Sequence, residues 1–136
     1  MRTSSEILAH TAEVKLRVRG PSLGEIAAEA GRALGRLELG TDRPAAQGEW
    51  RDLEVHAPDR DALLVEWLNE LIYRAETERW VPVEIEVVAA TDTALRARAR
   101  GVTVDETPSR VKAATFHGLR ITPVPGGLEA EVVLDV

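Results

Sequence analysis

The most restrictive feature of this sequence is a helix that cannot stand alone. Between Asp61 and Ala75, the residues Leu64, Trp67, Leu68, Leu71 and Ile72 recur at helical spacing and form one broad apolar stripe. Glu66, Glu70 and Arg74 fall elsewhere, and Glu70 and Arg74 are placed to pair across one turn. The stripe has to be buried, and the neighbouring segments supply partners for it. Glu13–Arg19 alternates, with Val14, Leu16 and Val18 on one face and Glu13, Lys15 and Arg17 on the other, the pattern of a half-buried strand. Gly20-Pro21 ends it, and Ser22 with Glu25 forms a capping box that opens another helix. Leu23, Ile26, Ala27, Ala30, Ala33, Leu34 and Leu37 carry that helix. Gly31 and Gly35 weaken it by about 1 kcal/mol each relative to Ala, so packing must hold it.

Further strands follow. Leu53, Val55 and Ala57 alternate, and Pro58-Asp59 ends the strand and offers an N-cap to the second helix. Val83, Ile85 and Val87 alternate with Glu84 and Glu86. After the turn Thr91-Asp92-Thr93, Leu95, Ala97 and Ala99 alternate with Arg96, Arg98 and Arg100. This reads as a hairpin whose glutamates and arginines face each other on its wet side. Thr103–Arg110 is a polar loop, Val111–Phe116 and Leu119–Thr122 are strand, and Pro125-Gly126-Gly127 turns into a last strand from Leu128 to Val136. The order predicts an α+β fold in which two helices pack against a mainly antiparallel sheet. A chain of 136 residues, 44% hydrophobic and 29% charged, is expected to form one domain over 1–136.

Composition removes several functions. There is no cysteine, which excludes thiol catalysis, zinc ribbons and disulfides. A net charge of −6 disfavours a general electrostatic grip on nucleic acid. No apolar run approaches the roughly 20 residues of a spanning helix, and the N-terminal segment lacks the apolar core of a secretion signal. A cytoplasmic protein with no membrane partner is expected. Phosphate loops, nucleophile elbows and His-Glu-x-x-His helices are absent. His10, His56 and His117 are single histidines, a pattern commoner in turns and cores than in metal sites. The Arg96-Arg98-Arg100 stripe reads first as a solvated strand face and second as an RNA contact, and the sparse aromatics argue against a base-stacking platform.

Two features point further. The 17 basic residues include only two lysines, Lys15 and Lys112. A lysine kept at 112 suits a role for a compact ammonium rather than a planar guanidinium, though chance retention explains it equally well. At the other feature, Leu134-Asp135-Val136, alternation turns Asp135 away from the face of Val132 and Leu134. It also sets the carboxylate of Asp135 beside the α-carboxylate of Val136. A solvated terminus accommodates this, and so does a hard cation with oxygen ligands.

Four segments together resemble the archease family: His10-Thr11-Ala12-Glu13, Leu63–Leu71, Lys112-Ala113-Ala114-Thr115-Phe116-His117-Gly118-Leu119, and the terminal Leu134-Asp135-Val136. They occur in the family's order over essentially the whole chain. The resemblance implies two nested strand-helix-strand-strand modules. It implies a non-enzymatic activator of the GTP-dependent, RtcB-type tRNA-splicing RNA ligase, promoting ligase guanylylation and multiple turnover. It also implies a divalent-metal site carried by Glu13, Asp135 and Val136, with Ca²⁺ the first choice and Mg²⁺ or Mn²⁺ as alternatives, and a partner-activating role for Lys112. Glu13 departs from the family's usual Asp and is one methylene longer. The expected partner is the ligase, with RNA touched only weakly or indirectly, and the protein itself a monomer or weak homo-oligomer. The competing readings are a general chaperone or cofactor of RNA-modifying enzymes and, less favoured for want of a general base, a metal-dependent hydrolase.

Overall fold

A computed structural model describes residues 1–9, 13–40, 44–106 and 110–136. Among these residues, seven strands and two helices run in the order β1 (Ser4–Ala9), β2 (Glu13–Gly20), α1 (Leu23–Leu39), β3 (Gln47–His56), α2 (Arg60–Glu78), β4 (Trp80–Ala90), β5 (Ala94–Thr103), β6 (Ala113–Val124) and β7 (Gly127–Asp135). They form two antiparallel sheets, one ordered β1-β2-β7-β6 and the other β3-β5-β4. The fold is α+β, and its strands divide between two sheets. The topology is also nested: β3-α2-β4-β5 lies in the chain between α1 and β6, so β2-α1 and β6-β7 complete one module around another.

Local chemistry sets both helix starts. The Ser22 side chain accepts the Glu25 N–H at 3.3 Å, and Asp59 accepts that of Ala62 at 2.8 Å. One apolar cluster joins the inner faces of both sheets to both helices, with Leu16, Val132, Leu134, Leu95 and Ala99 meeting Ile26, Leu34, Trp67 and Leu71. Trp67 is fully buried and its indole donates to the Ala27 carbonyl at 2.8 Å, tying α2 to α1. The glycines of α1 have a packing role. A Cβ at Gly35 would stand 2.5 Å from the Pro82 carbonyl oxygen, so the loss of helix propensity allows α1 to lie directly on β4.

Strand β1 has no counterpart among the sequence expectations. Ile7 is exposed, so no apolar alternation marks the segment. Backbone pairing with β2 and polar contacts hold it instead: the Ser5 hydroxyl donates to Glu29 at 2.8 Å, and Arg36 donates to both. Burial of Glu29 opposes its ionisation, but hydrogen bonds from Arg36, Ser5 and Arg32 outweigh this and hold its carboxyl below the ordinary range. In the hairpin β4–β5, Glu84 stands opposite Arg100 and Glu86 opposite Arg98, the pairing expected from the alternation.

Candidate functional site

The first sheet gathers the residues singled out at the chain's two ends and in the lysine segment. Glu13 opens β2 and stands directly opposite Asp135 at the end of β7, and Asp135 stands opposite Ala113 at the start of β6. The Lys112 N–H donates to the Asp135 carbonyl at 2.8 Å. Glu13, Asp135, Val136 and Lys112 therefore share one corner of the sheet. Asp135, Val136 and Lys112 are exposed and Glu13 is half-buried. His10, Thr11 and Ala12 lie outside the described residues.

The electrostatics of this corner differ from those of the rest of the face. Val14, Leu16 and Val18 point into the core with Val132 and Leu134, leaving Glu13, Lys15, Arg17 and Arg19 on the outer face. There Arg19 contacts Glu129 at 2.6 Å, Arg17 contacts Glu131 at 3.1 Å and Glu6 at 3.3 Å, and Lys15 reaches Glu131 at 3.8 Å. The next charged row breaks the alternation of sign. Glu13 and Asp135 are two acids directly opposite, where Cβ atoms lie about 5 Å apart and like charges repel. No ion pair reaches either among the described residues. No described set of three His, Cys, Asp or Glu side chains is grouped as a metal cluster. The expected site supplies only two such side chains, its remaining oxygens coming from the terminus. Two carboxylates and a terminal carboxylate are hard oxygen donors, a set that fits Ca²⁺ or Mg²⁺.

The lysine segment is held by a residue whose role is not marked by its type. Asn69 of α2 donates its amide to the Ala114 carbonyl at 3.2 Å and accepts the Ala114 N–H at 2.8 Å. Its side chain thus pairs with β6 as a strand would, and it fixes the backbone two residues from Lys112. Beyond Thr115 the ladder slips: Thr115 pairs with Val133 and Arg120 with Glu131, so four residues of β6 stand against one of β7. Gly118 takes a φ of 70° within this bulge, and Phe116 is left 59% exposed.

The arginine stripe of β5 is flanked by acids from both neighbours. Asp52 and Glu54 of β3 pair in register with Arg98 and Arg96, and Glu86 contacts Arg98 at 3.2 Å. Arg98 also lies over Trp50, 4.4 Å from the ring centroid. This is a neutralised strand face.

Sequence reasoning missed Glu38. It sits four residues after Leu34, on the buried stripe of α1, which is the signal that marks it. The residue is 2% exposed, its Oε1 has no hydrogen-bond partner, and burial pushes its carboxyl up to about 8. That exceeds its ordinary value of 4.5, so the folded protein keeps a proton that the unfolded chain releases. Stability is then expected to fall as pH rises from the ordinary value to about 8 and to level off above it. Glu38→Gln should remove this slope, which amounts to on the order of 5 kcal/mol between the two values. Urea unfolding of both proteins across that range checks it, and parallel stability curves would refute it.

The Archease protein family matches residues 6–136 of this chain. The chain belongs to the archease family. The archease of Methanosarcina mazei is 29% identical over 139 residues, covering 96% of this chain and 94% of its own. That of Thermococcus gammatolerans is 36% identical over 126 residues, covering 87% of each. The solution structure of Methanobacterium thermoautotrophicum protein 1598 superposes with a TM-score of 0.76 at 28% identity, over 97% of this archease and 98% of that protein. A crystal structure from Thermotoga maritima, of a protein named an archease and possible chaperone, shares the fold, with a TM-score of 0.69 at 21% identity over 100% and 98% of the two chains. Among the described residues of this archease, no helix is long and apolar enough to cross a membrane.

Proposed function

We propose that this archease activates an RtcB-type RNA ligase, presenting the corner of Glu13, Asp135, Val136 and Lys112 to the ligase. The observation that carries the reading is the convergence of three distant segments at one sheet corner, where two acids without an ion pair among the described residues meet the lysine strand. Glu13, Asp135 and Val136, the last through its backbone or terminal carboxylate, would hold a divalent cation, Ca²⁺ first and Mg²⁺ or Mn²⁺ next. Such a cation supplies positive charge that lets the acids lie together and orders the ends of β2 and β7. Lys112, exposed at the same corner, offers a compact ammonium to a carboxylate or triphosphate on the partner. Phe116, exposed on the bulge of the same strand, adds an apolar contact of the kind that anchors interfaces. RNA contact is weak or indirect in this reading, consistent with the net charge of −6 and the acid-flanked arginines.

Multiple-turnover ligation by the ligase of the same cell, with guanylate formation followed in parallel, tests the proposal. Substoichiometric archease should restore turnover and speed guanylylation; no change with active ligase and saturating metal would overturn it. Stimulation of several unrelated RNA enzymes would instead favour the chaperone reading, which the naming of the Thermotoga maritima protein as a possible chaperone supports. The terminal carboxylate has a test of its own. Adding a few residues after Val136 should weaken Ca²⁺ or Mn²⁺ binding by about tenfold or more, measured by calorimetry. Unchanged affinity would remove that carboxylate from the ligand set.

A further inference from the structure

The C-terminal ends of the two helices flank a partly open cavity of about 310 Å³ that lies apart from the Glu13–Asp135 corner. Ile72 and Ala75 of α2 and Val111 of the β5–β6 connection give it apolar walls, and Glu38 of α1 also lines it. Four charges complete the lining, Glu76 of α2, Arg79 capping that helix, and Glu106 and Arg110 from the connection. They balance in sign. Arg110 pairs with Glu76 at 2.7 Å, and Arg79 donates to the Asp105 carbonyl without an acid partner among the described residues. Neither reaches Glu38, whose Oε1 is buried without any partner. An orphan carboxyl oxygen in a well-packed protein calls for an explanation, because desolvation without a hydrogen bond costs stability that a leucine there would not.

We propose that this cavity binds a small organic cation of the amidine or guanidine type, whose paired N–H groups engage the Glu38 carboxylate. The chemistry of the lining selects that class. A carboxyl group without a donor lacks N–H partners, and a planar amidinium brings two in the parallel geometry that a carboxylate accepts. Such a cation is more weakly hydrated than an ammonium and loses less on entering walls made by Ile72, Ala75 and Val111. With Glu38 ionised, an anion would meet three acids, Glu38, Glu76 and Glu106, against two guanidinium groups. The volume admits one head group with a small carbon body, the scale of a small-molecule site rather than a peptide groove.

Cation binding requires the ionised carboxyl, while the free protein keeps Glu38 protonated up to about pH 8. One proton should therefore leave for each cation bound near neutrality, and affinity should rise about tenfold per pH unit until that value is reached.

Benzamidine is the probe, titrated into the full chain and followed by amide chemical shifts and by calorimetry in two buffers of different protonation heat. Saturable shifts at Ile72, Ala75 and Val111 are expected within the millimolar range of a single buried charge pair. Release of one proton near neutrality is expected with them, as is at least about tenfold weaker binding to Glu38→Gln. Benzamide, the neutral counterpart, should not saturate. Absence of shifts at those residues overturns the proposal, as do equal binding by Glu38→Gln, equal binding of benzamide, or binding without proton release. The proton count on the unaltered protein decides the matter even if the variant fails to fold. The ligase takes no part in the measurement, so its outcome stands apart from the activation reading.

Discussion

Replacing Lys112 with alanine is expected to reduce ligase stimulation to the level seen without the protein. The free energy of unfolding should change by less than about 0.5 kcal/mol. The side chain is exposed, and only the residue's backbone is engaged in the sheet, through its N–H on Asp135. Truncation therefore leaves that hydrogen bond in place and removes only the ammonium. Lys112→Arg separates charge from shape: if a compact ammonium is required, arginine restores little of the activity, because its planar fork spreads the charge and needs a different geometry. Ligation turnover and urea unfolding, measured on the same preparations, decide the prediction. Stimulation unchanged in Lys112→Ala would retire the assigned role.

The largest effect on stability is expected at Trp67. Truncation to alanine empties the centre of the cluster that joins both helices to both sheets, and it removes the indole N–H from the Ala27 carbonyl. Large-to-small changes of this kind cost about 3 to 5 kcal/mol, a large share of the stability of a single domain. Trp67→Phe should cost less, mainly the lost hydrogen bond and a smaller void. Equilibrium urea unfolding measures both. A loss below about 1 kcal/mol for the alanine variant would mean that the surrounding side chains collapse into the space.

Much of the architecture is legible in the sequence because periodicity reports burial. The helix carried by Trp67 and Leu68, the Ser22 and Asp59 caps, and the facing charges of β4 and β5 all follow from spacing. The division into two sheets does not, since alternation tells a strand which face is dry but not which strand lies beside it. Strand β1 escapes notice because polar contacts from Ser5 and Glu6 rather than an apolar face hold it. The candidate site is legible from the residues only as two separate oddities, a retained lysine and a doubly acidic terminus. Their meeting is a tertiary fact, set by the register of β2, β7 and β6. Asn69 lies beyond sequence reading for a related reason, since its side chain could equally have faced solvent. Glu38 is marked by its place on the buried stripe of α1, but spacing does not show that it lacks a partner there.

The nesting of one module inside the other has a kinetic consequence. Each module has one pairing of nearby segments, the β4–β5 hairpin in the inner and the β6–β7 hairpin in the outer. The ladder between β2 and β7 instead joins opposite ends of the sequence and must wait for a long closure whose entropic cost comes before its contacts form. Glu13 and Asp135 therefore come together late, when the outer module shuts around the inner one. Any molecule that binds both residues binds the shut form alone, and by mass action it draws the whole chain toward that form.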